Sequence, residues 1–99
     1  MGAGKVLPNN GRLPQTMRSA GIEPADIDTV IITHAHPDHI GGTLDDRGKP
    51  IYSNASYYIW KDEWDFWFSD VAFEKTNEFF VDVAREQLSP IKDRMIFIE

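Results

Sequence analysis

The chain has three histidines, His34, His36 and His39, and all of them fall in Thr33-His34-Ala35-His36-Pro37-Asp38-His39. Asp38 adds a carboxylate to the same short loop. Neutral imidazole nitrogens and a carboxylate oxygen are the ligands that zinc, manganese and iron accept. The plain alternative is a polar turn whose histidines do nothing. Pro37 restricts its own φ and pushes His36 towards an extended conformation. Extended residues two apart project to the same side, so His34 and His36 can converge on one ion. Asp38 and His39 follow the bend and can face a second. Gly41-Gly42 then allow a tight backbone turn close to the site.

The elements around the loop must hold it still. Asp28-Thr29 leads into Val30-Ile31-Ile32-Thr33, a β-branched run without alternation that reads as a short strand covered on both faces. A ligand loop leaving the end of such a strand inherits its rigidity. Upstream, residues 1–12 read as a glycine- and asparagine-rich loop. Pro14 suits the first turn of a helix that ends at Gly21, with Leu13, Met17 and Ala20 on one face. Downstream, Asp45 to Pro50 is a turn, and Ile51-Tyr52 and Tyr57 to Trp60 are two short strands around Asn54. A helix runs from Lys61 to Ser69. Another begins near Thr76 and ends before Pro90, presenting Phe80, Ala84 and Leu88, with Phe79 and Val83 adjoining. Met95 to Ile98 is a final strand. Alternating strands and helices indicate an α/β layered fold.

The signature THAHPDH, with Ile40-Gly41-Gly42 after it, resembles the metal-binding motif of the metallo-β-lactamase superfamily. Gly11-Arg12-Leu13, Ser19-Ala20-Gly21, the strand from Asp28 to Thr33 and Asp65-Phe66-Trp67-Phe68-Ser69 extend the likeness to the branch of methyl parathion hydrolases and acyl-homoserine lactonases. The similarity runs from about Gly11 to Ile98. It implies a part of a four-layer αββα fold and two divalent metal ions, zinc first, with manganese, iron or cobalt as alternatives. His34 and His36 would bind the first ion, and Asp38 and His39 the second. Asp38 would also serve catalysis, as a ligand that orients the attacking water. The implied reaction is hydrolysis of an ester-like bond, in a lactone or an organophosphotriester, by metal-activated hydroxide. Lactonases, thioesterases, RNA-processing nucleases and iron-dependent oxygen enzymes share the signature, so an oxygen enzyme is a rival reading.

The family pattern also has a third histidine on the first site, a bridging aspartate and a further histidine, all downstream. This chain has no histidine after His39. The expectation is therefore one partial domain over residues 1–99, an internal piece of a longer enzyme. A truncated or degenerate metal-binding or scaffold module without catalysis is the alternative.

Trp67 matches a tryptophan lining the leaving-group pocket in the methyl parathion hydrolase-like enzymes, so it is the candidate substrate-binding residue beside a plain packing role. Val6 or Leu7 falls near another pocket aromatic of those enzymes, which argues against strict organophosphate specificity. Trp60, Trp64 and Trp67 have the spacing of one helical face, and Trp60 and Trp64 read as packed on the sheet. Tyr52, Tyr57 and Tyr58 read as strand residues. Asp62-Glu63-Asp65 reads as a solvated helix face.

Composition narrows the field. At 41% hydrophobic and 12% aromatic content the chain can build a core, and without cysteine it has neither disulfides nor a zinc–thiolate site. A net charge of −6 and no basic stripe count against nucleic acid as a partner. The expected partner is a small ester or lactone, with no membrane and with a homo-oligomer in prospect. No signal peptide, transit peptide or membrane-spanning run is visible. That leans towards the cytoplasm, with periplasmic or secreted placement left open because the true N-terminus is absent on this reading.

Overall fold

A computed structural model describes all 99 residues. Three strands, β1 (Thr29–Ile32), β2 (Ser56–Trp60) and β3 (Met95–Ile98), form one parallel sheet in the order β1-β2-β3. Parallel neighbours need crossovers, and helices supply them. The helices are α1 (Leu13–Ser19), α2 (Pro37–Ile40), α3 (Lys61–Trp67), α4 (Val71–Lys75) and α5 (Glu78–Leu88). The β1-to-β2 connection carries α2, and the β2-to-β3 connection carries α3, α4 and α5.

One face of the sheet is the core. Ile32, Tyr57 and Ile59 are buried there against Trp64, Trp67, Ala72, Val81, Ala84, Leu88 and Ile91. The α5 helix starts where Asn77 Oδ1 accepts the Phe80 N–H at 2.9 Å, a cap worth about 1 kcal/mol. Ala84 and Leu88 are buried and Phe80 is half-buried, as the apolar spacing implies, whereas Phe79 turns out to solvent. No helix is long and apolar enough to cross a membrane.

The opposite face corrects the reading of β1 as covered on both sides. Ile31, Tyr58 and Ile96 stand in register across the three strands, and Ile31 is 69% exposed. A β-branched run reports suitability for burial, not the presence of a partner on each face. Three further expectations change. Ile51-Tyr52 is a bend, not a strand, and the pairing nearby is an isolated antiparallel bridge between Leu44 and Pro50. Trp60 is the last residue of β2 and 53% exposed, so it shares no helical face with Trp64 and Trp67. The α1 helix buries none of its residues, Leu13 included. Elements unread in the sequence are a 3-10 turn at Gly4–Val6, the single helical turn α2, the short α4 and a 3-10 segment at Ser89–Arg94.

Candidate metal centre

The loop leaves β1 at its C-terminal end, the end of a parallel sheet at which ligands bind in open α/β folds. His36 has the extended φ of −77° and ψ of 152° that Pro37 imposes, and it forms the N-cap of α2. Pro37 takes the first helical position, where its missing N–H costs nothing. Its carbonyl accepts the Gly41 N–H at 2.9 Å, and the His36 carbonyl accepts from His39 at 2.9 Å and from Ile40 at 3.1 Å. This single helical turn carries Asp38 and His39, while His34 and His36 lie on the extended approach to it. Buried Ala35, Pro37 and Ile40 anchor the turn below.

The imidazoles gather above these anchors. The His34 ring lies 4.0 Å from that of His39 and 4.9 Å from that of His36, centroid to centroid. His39 Nε2 stands 3.5 Å from Asp38 Oδ2, and His34 Nδ1 is 3.0 Å from the Thr33 hydroxyl. His36, Asp38 and His39 are exposed and His34 is half-buried. The structure thus brings all four sequence candidates together at one open edge. No three histidine or acidic side chains converge as a group that could hold an ion. Three imidazoles and a carboxylate fit a divalent centre by donor type, without a closed coordination shell.

His36 is cradled by aromatics. Trp67 meets it edge-on at 5.8 Å and 82°, and Phe80 of α5 lies 5.5 Å away. Trp67 itself is 2% exposed, so its ring shapes the site from beneath. The Arg85 guanidinium holds the backbone here, donating to the Trp67 carbonyl at 2.8 Å and to the Ser69 carbonyl at 3.0 Å. It also lies 4.8 Å from the Phe73 ring centre, a cation–π contact.

Sequence reasoning missed Glu63, which is not on a solvated face. It is half-buried, and its Oε1 accepts the Ala35 N–H at 2.8 Å and the Trp67 indole N–H at 2.8 Å. Its position four residues before Trp67 on α3 was the available signal, since residues so spaced are neighbours on a helix. Tyr52 and Tyr57 are buried in the core. Tyr57 donates to the Tyr52 carbonyl at 3.1 Å, and burial pushes its phenol up to about 12. Burial raises Tyr52 too, and its hydroxyl has no partner.

The Gly41-Gly42 pair does not serve a left-handed turn, because Gly41 has φ −62°. It serves close approach. A Cβ on Gly41 would overlap the Ala3 carbonyl oxygen and come within 2.5 Å of a Val6 methyl, and one on Gly42 would overlap the Met1 carbonyl oxygen. The Gly42 N–H donates to the Gly2 carbonyl at 3.0 Å.

Residues 6–92 match the family described as the metallo-beta-lactamase superfamily. The chain belongs to that superfamily. Among solved structures it is similar to AidC, a dizinc quorum-quenching lactonase in complex with a product, N-hexnoyl-L-homoserine, at 30% identity and a TM-score of 0.85. That likeness covers 99% of this chain and 37% of AidC. The hydrolase AbOPH of the beta-lactamase superfamily is 27% identical, with a TM-score of 0.86 over 98% of this chain and 36% of AbOPH. A probable metal-dependent hydrolase from Staphylococcus aureus, 23% identical, has a TM-score of 0.72 over 93% of this chain and 31% of its own, which speaks to fold alone. No match is found among curated proteins. The superfamily chain is thus mixed α/β with the metallo-beta-lactamase fold of its neighbours, and it spans about a third of the length of those structures.

Proposed function

We propose that the protein contributes one half of a dinuclear metal centre to a hydrolase acting on lactones or organophosphotriesters. The observation that carries this reading is the gathering of His34, His36, Asp38 and His39 on one turn and its extended approach at the C-terminal end of a parallel strand. A superfamily profile over that turn and neighbours described as a lactonase and a hydrolase support it. His34 and His36 would hold one divalent ion, and Asp38 and His39 the other, zinc being the first choice. When bound, such ions supply Lewis-acid activation of water and of the substrate oxygen.

The chain's own residues do the positioning. Thr33 fixes the His34 ring through its hydroxyl contact, and Trp67 and Phe80 fix the His36 ring. Asp38, exposed at the rim, brings a negative charge that orients water and its protons. Trp67 would form the buried wall behind His36 and bound the leaving-group side through that imidazole. The acidic surface makes a small neutral ester or lactone the favoured substrate and nucleic acid an unfavoured partner.

The test combines zinc and manganese content by elemental analysis with hydrolysis of an acyl-homoserine lactone and an aryl phosphotriester, before and after chelation. Chelator-sensitive turnover that returns with metal supports the reading. A second reading, a metal-binding module without catalysis, draws on the open donor geometry. Metal uptake without turnover on any substrate would favour it.

A further inference from the structure

Ala35 lies between His34 and His36 and is wholly buried. A buried backbone N–H must find an acceptor inside the protein. Ala35 finds it in a side chain that belongs to neither β1 nor α2: Oε1 of Glu63, 2.8 Å away on α3. The same oxygen accepts the Trp67 indole N–H at 2.8 Å, and that indole meets the His36 ring edge-on. His36 is therefore restrained twice by one carboxylate oxygen, through the backbone preceding it and through the ring beside it.

We infer that Glu63 is a positioning residue for the proposed metal centre: its Oε1 ties the peptide between His34 and His36 to Trp67, so that loop and aromatic wall are set together. The inference rests on the proposed function for its consequence, but the tie itself stands on geometry. Both donors use one oxygen, so the need is for an acceptor at that point and not for a charge. An amide at the same place keeps the acceptor, whereas a side chain of similar volume without oxygen does not. Outer-shell partners of metal ligands tune affinity because they hold ligands in their binding orientation.

The test compares the full chain with Glu63→Gln, Glu63→Ala and Glu63→Met, the last keeping the volume in case the alanine variant fails to fold. Amide hydrogen exchange at Ala35 and the Trp67 indole N–H resonance report the tie without metal. Zinc titration calorimetry reports its consequence. Removing the acceptor should speed exchange at Ala35 selectively, move the indole resonance and weaken zinc binding by about 10- to 100-fold. Glu63→Gln should restore most of all three. Unchanged Ala35 exchange in both Glu63→Ala and Glu63→Met would overturn the inference, as would equal losses in Glu63→Gln and Glu63→Met. A wild-type chain that takes up no zinc would instead overturn the metal-centre reading, leaving the exchange data to decide the tie.

Discussion

The Trp67 indole stands edge-on to the His36 imidazole, with ring centres 5.8 Å apart and planes at 82°. A tryptophan that is almost fully buried thereby supports an exposed imidazole, and the core and the proposed metal centre meet at this pair. Substitutions on the two sides of the contact should separate chemistry from stability.

His36→Ala removes a proposed ligand and takes no buried side chain out of the core. Bound metal, measured by elemental analysis, should fall together with hydrolysis, and the loss of turnover should exceed the about 100-fold that outer-shell changes reach. Full metal occupancy with normal turnover would show that His36 is no ligand.

Asp38→Asn conserves shape and removes the charge that would face the proposed metal ions. Asp38 is exposed, so thermal stability should change by no more than about 0.5 kcal/mol. Turnover should drop by about 10-fold or more. Melting curves beside steady-state rates decide it, and a large stability loss with normal rates would make Asp38 structural.

Trp67→Ala should behave differently. Emptying a buried indole site costs about 3–5 kcal/mol, visible in denaturant melts. Because the ring acts through His36, kcat/KM should fall by similar factors across small esters, long-acyl lactones and aryl phosphotriesters. Losses graded with leaving-group size would assign Trp67 direct substrate contact.

Buried Tyr57 should contribute to the loss of stability at alkaline pH. Burial raises Tyr57 from 10 to about 12, so between these values the folded state holds a proton that the unfolded state has released. Stability then falls with rising pH across that window and is unaffected by Tyr57 below it. The melting temperature should decline from about pH 10 upward, the range set by the ordinary tyrosine value. Tyr57→Phe should make that decline shallower. An unchanged slope would remove Tyr57 as its source.

Ile31 and Ile96 share an open sheet face, and β1 and β3 are both edge strands. Unpaired edges and apolar faces favour association. Light scattering should find oligomers or aggregates in the 99-residue chain, and Ile31→Lys should reduce them. A monodisperse wild-type monomer would contradict this.

The turn that gathers the histidines was legible because its information is local: three imidazoles and a carboxylate, a proline and a glycine pair within ten residues of sequence. The α5 helix was legible from periodicity and β1 from its β-branched run, whereas Ile51-Tyr52, read as a strand as well, is a bend. What depends on distant partners was not. Glu63 sits in an acidic run that resembles any solvated helix start, and an amide 28 residues away, together with the Trp67 indole, gives it its role. Trp60 has helical spacing from Trp64, yet it closes a strand. The exposure of Ile31 is a fact about its neighbours and cannot be read from a β-branched run.

The glycine pair behind the loop has a mutational consequence. Gly41 and Gly42 press backbone to backbone on Met1, Gly2 and Ala3, so neither segment can change course alone. A side chain larger than hydrogen at position 41 needs a compensating displacement of residues 1–6 before the Pro37–Ile40 turn can close. The two stretches should tolerate variation only as a matched pair, and engineering that grafts this histidine-bearing turn elsewhere must carry its distant backbone partner with it.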